Sequence, residues 1–196
     1  MSEACVILAA GAGRRMGGVN KALLVWREKS FLAHIATLCR EMGTSEVVVV
    51  VAKPHAKATE IIAHRLRIAC VCNPAPEQGM ASSVAVGFAF AYETFASESC
   101  WLWPVDTPAI RLETLELVRT HSATRRIITP QYKGRGGHPS LVGREFWQEL
   151  ASCENESEGA RTVFRRASEQ RLHLDVDDPG VRRDVDVPAD MKELPC

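Results

Sequence analysis

Arg14, Arg15 and Lys21 fall in a glycine-rich stretch, Gly11-Ala12-Gly13-Arg14-Arg15-Met16-Gly17-Gly18-Val19-Asn20-Lys21, directly after the apolar run Val6-Ile7-Leu8-Ala9-Ala10. Glycines permit positive φ and let backbone N–H groups approach a ligand with no Cβ in the way. Successive N–H groups in such a turn make an anion nest, and nearby cationic side chains complete a cradle for phosphates. No acidic residue lies between Glu3 and Glu28, whereas Arg14, Arg15, Lys21 and Arg27 do. The stretch reads as the seat of a nucleoside triphosphate at the first strand of an α/β unit. Two familiar phosphate loops do not fit it. A Walker A loop needs lysine directly after the last glycine, and Val19 follows Gly18. A dinucleotide fingerprint needs a third glycine, and Met16 stands there.

The carboxylates supply the complementary charge. Asp106 is the first aspartate in the chain, and the other six, Asp175, Asp177, Asp178, Asp184, Asp186 and Asp190, lie near its far end. Asp106 follows Trp101-Leu102-Trp103-Pro104-Val105, so it is expected at the carboxyl end of a buried strand. A carboxylate there pairs with a basic residue or binds a cation, and the residue alone leaves both open. Magnesium takes one or two carboxylates and completes its shell with phosphates and water. Asp106 with one of Asp184 and Asp186 would suffice. In an extended segment Asp184 and Asp186 alternate and share one face. Asp175–Asp178 read instead as a solvated turn before Pro179-Gly180.

Strand-like and helix-like stretches alternate along the chain and must position these groups. Ala4–Ala9 reads as a first strand, and Ser30 as the N-cap of a helix with Phe31, Leu32, Ile35, Leu38, Cys39 and Met42 on one face. Glu46–Ala52 contains consecutive valines, the mark of a strand covered on both sides. Pro54 opens a helix, Ile68–Cys72 is a third strand and Met80–Phe95 a helix. Cys100–Val105 is a strand and Leu112–His121 a helix. Ile127–Thr129 and Ser140–Val142 are short strands around the loop Gly134–Gly137. Arg144–Ala151 and Arg161–Ala167 read as helices, and Arg171–Val176 and Arg183–Val187 as extended. This order predicts one domain with a mostly parallel sheet between helices, its ligands at the carboxyl ends of the strands.

Composition narrows the partners. Lysine plus arginine balances aspartate plus glutamate at 24 each, whereas nucleic-acid binders are usually basic. The seven cysteines show no CxxC and read as small buried hydrophobes of a reducing cytoplasm. The start Met-Ser-Glu has no basic n-region, and no apolar run reaches about 18 residues, so neither a secretory signal nor a membrane span is expected. Trp26 and Trp147 could stack on a ring system, but such aromatics belong more often to a core.

The motifs together resemble the MobA-like nucleotidyltransferases, and most closely the molybdenum cofactor cytidylyltransferases. Leu8-Ala9-Ala10-Gly11…Arg15-Met16-Gly17…Lys21 matches the family's triphosphate loop. Asn73-Pro74…Gln78-Gly79-Met80…Ser82-Ser83-Val84 is similar to the segment that closes over nucleobase and ribose. Asp106-Thr107-Pro108 matches the metal-binding Asp-x-Pro, and Gly136-Gly137-His138-Pro139 a Gly-His-Pro loop near the acceptor. Gly159-Ala160-Arg161 and Asp184-Val185-Asp186-Val187-Pro188-Ala189-Asp190 match its remaining motifs. Two positions depart from the pattern. Gly13 stands where the cofactor enzymes commonly carry serine, and Lys21 follows Gly17 by one position more than usual.

The resemblance implies a three-layer, Rossmann-like, GT-A-like nucleotide-diphospho-sugar transferase fold with a mostly parallel mixed sheet. It implies transfer of a cytidylyl group from CTP to the terminal phosphate of molybdopterin, with Mg2+ and release of pyrophosphate. Ala10 favours CTP, since guanylyl-transferring relatives tend to read Leu-Ala-Gly-Gly. Arg15, Lys21, Asp106 and His138 are then the catalytic set. Leu8, Ala9, Ala10, Gly11, Ala12, Gly13, Arg14, Lys21, Asn73, Gly79, Ser82 and Ser83 bind the nucleotide, and Asp106 with Asp186 or Asp184 the metal. A molybdenum hydroxylase apoenzyme or its chaperone is the implied partner. GTP, an isoprenoid-precursor type of acceptor, and a non-catalytic carrier are the alternatives.

Overall fold

The computed structural model describes residues 2–195; Met1 and the seventh cysteine, Cys196, lie outside the described residues. The chain opens with β1 (Glu3–Leu8), two single-turn 3-10 helices (Arg14–Met16 and Lys21–Leu23), and a hairpin of β2 (Val25–Trp26) and β3 (Lys29–Ser30). Then come α1 (Phe31–Glu41), β4 (Glu46–Val51), α2 (Ala56–Arg65), β5 (Ala69–Cys72), α3 (Met80–Thr94), β6 (Ser99–Pro104) and α4 (Leu112–Arg119). The last part holds β7 (Ile127–Tyr132), β8 (Arg135–Gly136), β9 (Ser140–Gly143), α5 (Trp147–Leu150), α6 (Ala160–Arg166) and β10 (Arg171–Asp175).

The main sheet runs β10-β7-β9-β6-β1-β4-β5, with β8 added beside β7. β9 is antiparallel to both β6 and β7, while β1, β4, β5 and β6 are mutually parallel. This is the mostly parallel mixed sheet expected, with helices on both faces. The valines of β4 are buried throughout, because both sides of a central strand are covered and β-branched side chains fit the pleat. On one face Cys5 and Ile7 of β1 and Trp101 and Trp103 of β6 pack with Phe31, Ile35 and Leu115. On the other, Val6 and Leu8 pack with Val84, Phe88 and Trp147. Ser30 caps α1, its Oγ accepting from the Ala33 N–H at 3.2 Å.

Register brings the functional loops together. Leu8 pairs with Val50 on one side and Pro104 on the other. The Ala9 N–H donates to the Val50 carbonyl at 2.8 Å, Val105 to Leu8 at 3.0 Å and Asn73 to Val51 at 2.7 Å. The glycine loop, Asp106 and Asn73 therefore leave the sheet side by side at the carboxyl ends of its strands.

Two expectations are corrected. No strand forms over 183–187. The Val185 N–H donates to the Asp106 carbonyl at 2.9 Å, and Asp190 Oδ2 accepts from the N–H groups of Asp186 and Val187 at 2.7 and 2.8 Å. A local carboxylate thus takes the donors a ladder would need. Asp178 is not solvated either: it is 2% exposed, with its donors described below. Trp147 is fully buried and donates to the Val142 carbonyl at 3.0 Å, and Trp26 stacks on His34. Of the described cysteines, Cys5, Cys39, Cys100 and Cys153 are buried, Cys72 is exposed, and none is bonded to another. No helix among the described residues is long and apolar enough to cross a membrane.

Candidate active site

A cleft of about 740 Å³ opens where β1, β4 and β6 end. Leu8, Ala9, Ala10, Gly11, Ala12 and Gly13 form its floor and near wall, and Arg14 and Arg15 its rim. Gly13 is left-handed (φ 59°), and a Cβ there would sit 2.1 Å from the Val19 carbonyl oxygen. That contact joins the two departures from the family pattern. The extended approach to Lys21 folds its backbone into the space that a side chain at residue 13 would need.

Asn20 sets the direction of Lys21. Its Oδ1 accepts from the Ala22 N–H at 3.1 Å, starting the Lys21–Leu23 turn, while its Nδ2 donates to Thr59 Oγ1 of α2 at 2.9 Å. The Lys21 ammonium then stands between two carboxylates, donating to Asp106 Oδ2 at 2.9 Å and Asp186 Oδ1 at 2.6 Å. The other oxygen of Asp186 accepts from Arg15 at 2.6 Å. Burial opposes the charge on Lys21, but hydrogen bonds to Asp186 and Asp106 outweigh it and hold its pKa above the usual value. The Lys21 hydrogen bond, the ammonium's charge and Arg15 keep Asp186 below the usual carboxylate range, against a smaller opposing effect of burial. Asp184 goes the other way. Its burial, then the charges of Asp106 and Asp186, raise its pKa against the pull of Arg182 and Lys21.

Asp106 owes its place to a tight turn. The Thr107 N–H and hydroxyl both donate to the Pro104 carbonyl, at 3.2 and 2.9 Å. Among the described residues no three His, Cys, Asp or Glu side chains converge as a metal cluster. Asp106 and Asp186 do converge, on the Lys21 ammonium. Two carboxylates meeting at one cationic point suit a hard cation that takes its remaining ligands from phosphate and water.

Ser83 and Gly79 line the opposite wall. Asn73 and Ser82 do not; both are buried behind it. Asn73 Nδ2 donates to the hydroxyls of Ser82 and Ser83, each at 2.9 Å, and its Oδ1 accepts from the Ala75 N–H at 2.9 Å. These two residues shape the wall instead of facing the cleft. Met80 of the Gln78-Gly79-Met80 motif lines it as well, as do Lys53 and Glu77, which the motifs do not single out. Lys53 was recoverable in principle, being a cation just past the carboxyl end of the valine strand.

His138 lies beyond the cleft lining. Its backbone N–H donates to the Val181 carbonyl at 2.7 Å, and a Cβ at Gly137 would meet that same oxygen at 2.1 Å. The glycine lets the loop dock on residues 179–181. Burial lowers the His138 pKa although Asp106 pulls it up, and Arg182 and Arg161 add to the lowering. The ring is therefore neutral at pH 7, with a buried Nδ1 that has no partner.

A family model, the MobA-like NTP transferase domain, matches residues 5–172. The chain is 29% identical to the nicotine blue oxidoreductase of Paenarthrobacter nicotinovorans over 96% of its own length and 94% of that protein's. It is 28% identical to a molybdenum cofactor guanylyltransferase of Pseudomonas fluorescens, over 74% of this chain and 64% of the relative. Among solved structures, a nucleotidyl transferase from Methanothermobacter superposes with a TM-score of 0.80 at 16% identity, over 98% of this chain and 95% of that one. Glycine loop, paired carboxylates and mixed sheet agree with the match across most of the sequence: the chain belongs to the MobA-like NTP transferase family.

Proposed function

We propose that this protein, acting as one transfer unit over residues 1–196, moves a cytidylyl group from CTP to the terminal phosphate of molybdopterin. A phosphate oxygen of the acceptor bonds to the α phosphorus, and the bond from that phosphorus to pyrophosphate breaks. The observation that carries the reading is the Lys21 ammonium held between Asp106 and Asp186 beside a glycine loop. Positive and negative groups thus stand together, as a site that joins a triphosphate and a metal requires. Ala10 is the residue that favours CTP over GTP.

The backbone of Leu8–Gly13, with Arg14, would cradle the triphosphate, while Arg15 and Lys21 neutralise charge gathering on the leaving pyrophosphate. Asp106 and Asp186 would hold Mg2+, which would supply positive charge at the α phosphate. Gly79 and Ser83 would face base and ribose, and Asn73 and Ser82 fix that wall. A phosphomonoester has a second pKa of about 6, so the nucleophile is ionised at neutral pH and needs no general base. Neutral His138 fits this, as an N–H donor that orients the acceptor. Alignment and charge stabilisation then carry catalysis.

A second reading has its own support. A relative matched over nearly its whole length is an oxidoreductase, which makes electron transfer the competing reaction, while the guanylyltransferase relative favours GTP. One assay separates them: pyrophosphate release with molybdopterin, Mg2+ and either CTP or GTP, run beside NAD(P)H consumption with electron-accepting dyes. Release with CTP supports the proposal. Release with GTP alone replaces the base, and dye-dependent NAD(P)H oxidation without release replaces the reaction.

A further inference from the structure

A second groove, of about 480 Å³, lies between α6 and the edge strand β10, lined by Arg161, Arg165, Arg171, His173, Phe164 and Glu158. Its charges do not balance. Glu158 is engaged by Arg165, whereas Arg161 and Arg171 have no carboxylate partner among the described residues. Arg171 is nonetheless held in place. Its guanidinium lies 5.2 Å from the centre of the Phe164 ring, and its Nε and Nη2 donate to Thr129 Oγ1 at 3.3 and 3.2 Å. Burial pushes the Arg171 pKa down, the signature of a cation without its counter-ion. His173, two positions along the strand and on the same side, is lowered by burial and by Arg171.

A hydroxyl contact leads from the groove toward the strand that follows the His138 loop. Thr129 Oγ1 lies 3.3 Å from Ser140 Oγ, so the hydroxyl that fixes Arg171 also touches the strand leaving the His138 loop. His138 feels the charges of both Asp106 and Arg161. A half-buried guanidinium held by a hydroxyl and a ring, with N–H groups still free and a second arginine beside it, is suited to bidentate recognition of a compact oxyanion.

We propose that the α6–β10 groove is an oxyanion site that seats a second anionic group of the acceptor, whose reacting phosphate enters on the side of the α phosphate away from the leaving pyrophosphate. Its link to the acceptor rests on the transfer reading above; its affinity for an oxyanion does not. Inorganic phosphate, titrated into the full chain while the His173 ring protons are followed by NMR, tests the site directly. A saturable shift is expected, with affinity falling about tenfold in Arg171→Gln and in Arg161→Gln. Arg161 is exposed, so its variant remains informative should Arg171→Gln misfold. An unmoved His173 signal, or an affinity in both variants equal to that of the unmodified protein, overturns the site. Kinetics test the link. In Arg161→Gln the acceptor KM should rise about tenfold while the CTP KM stays within about twofold. An unchanged acceptor KM in an otherwise active protein overturns the assignment to the acceptor. Absence of pyrophosphate release from the unmodified protein sinks the transfer reading, and the phosphate titration still decides the groove.

Discussion

Two aspartates close together in the C-terminal segment are used in opposite ways. Asp178 is buried, its Oδ2 accepting from the Arg111 N–H at 2.9 Å and the Thr114 hydroxyl at 2.8 Å, its Oδ1 from the Gly180 N–H at 2.8 Å. These three hydrogen-bond donors are neutral and fixed by the fold, and the one cation nearby, the Arg111 guanidinium, stands off at 4.0 Å. Asp186 is 38% exposed at its side chain and is held by the side chains of Lys21 and Arg15. Fixed donors make a carboxylate a staple that no ligand can recruit without unfolding its surroundings. Flexible cations leave it available, because each can turn to a phosphate when one arrives. The partners' rigidity, more than the residue type, separates structural from chemical carboxylates here.

The largest test of that contrast is Asp106→Asn, which should lower transfer about a thousandfold while moving the unfolding temperature by under about 2 °C. Pyrophosphate release and calorimetry measure the two effects; a large loss of stability would place Asp106 in the staple class. Next comes Asp178→Ala, which strands three buried or half-buried donors and should cost about 3 kcal/mol. For a chain of this size that lowers the unfolding temperature by about 6–12 °C. A variant that melts normally yet loses transfer would break the comparison from the other side.

The smallest effect belongs to Glu46, a second carboxylate with fixed donors. The N–H groups of Ala96 and Ser97 each donate to it at 2.9 Å, and the Ser97 hydroxyl joins them. Burial raises its pKa, but the Ser97 hydroxyl, the two backbone donors and Arg144 outweigh this and lower it overall. A folded-state pKa below the unfolded value of about 4.3 stabilises the protein above that pH and ceases to do so as pH falls through the folded value. Glu46→Gln should therefore cost about 1 kcal/mol at pH 7. The gap to the unmodified protein should close below about pH 4, as melting curves at several pH values would show.

The regular elements were legible where packing repeats a pattern: the valines of β4, the apolar face of α1 after Ser30, and the run before Asp106. What escaped depends on side chains meeting backbone. The turns at Arg14–Met16 and Lys21–Leu23 have no periodicity to read, and Asn20 acts through a contact with α2 that spacing cannot show. Asp184 and Asp186 alternate as a strand would, yet Asp190 captures the donors and no strand forms. Asp178 reads as a solvated turn residue because two of its three donors, from Arg111 and Thr114, belong to a segment that only the fold brings near. The charge pattern of the glycine loop was visible directly, whereas the convergence of Asp106 and Asp186 on Lys21 is a property of the sheet register.

The bridge made by Lys21 also has a schedule. One of its partners lies 85 positions downstream and the other 165. A chain emerging from the ribosome can pair β1 with β4 and β6 and bring Lys21 to Asp106 while the segment that carries Asp186 is still being made. Asp186 follows β10 in the chain and is synthesised later than every strand of the sheet. Lys21 thus meets its first carboxylate well before its second, and a protein cut short before residue 186 would keep much of its sheet with a lysine facing a single carboxylate.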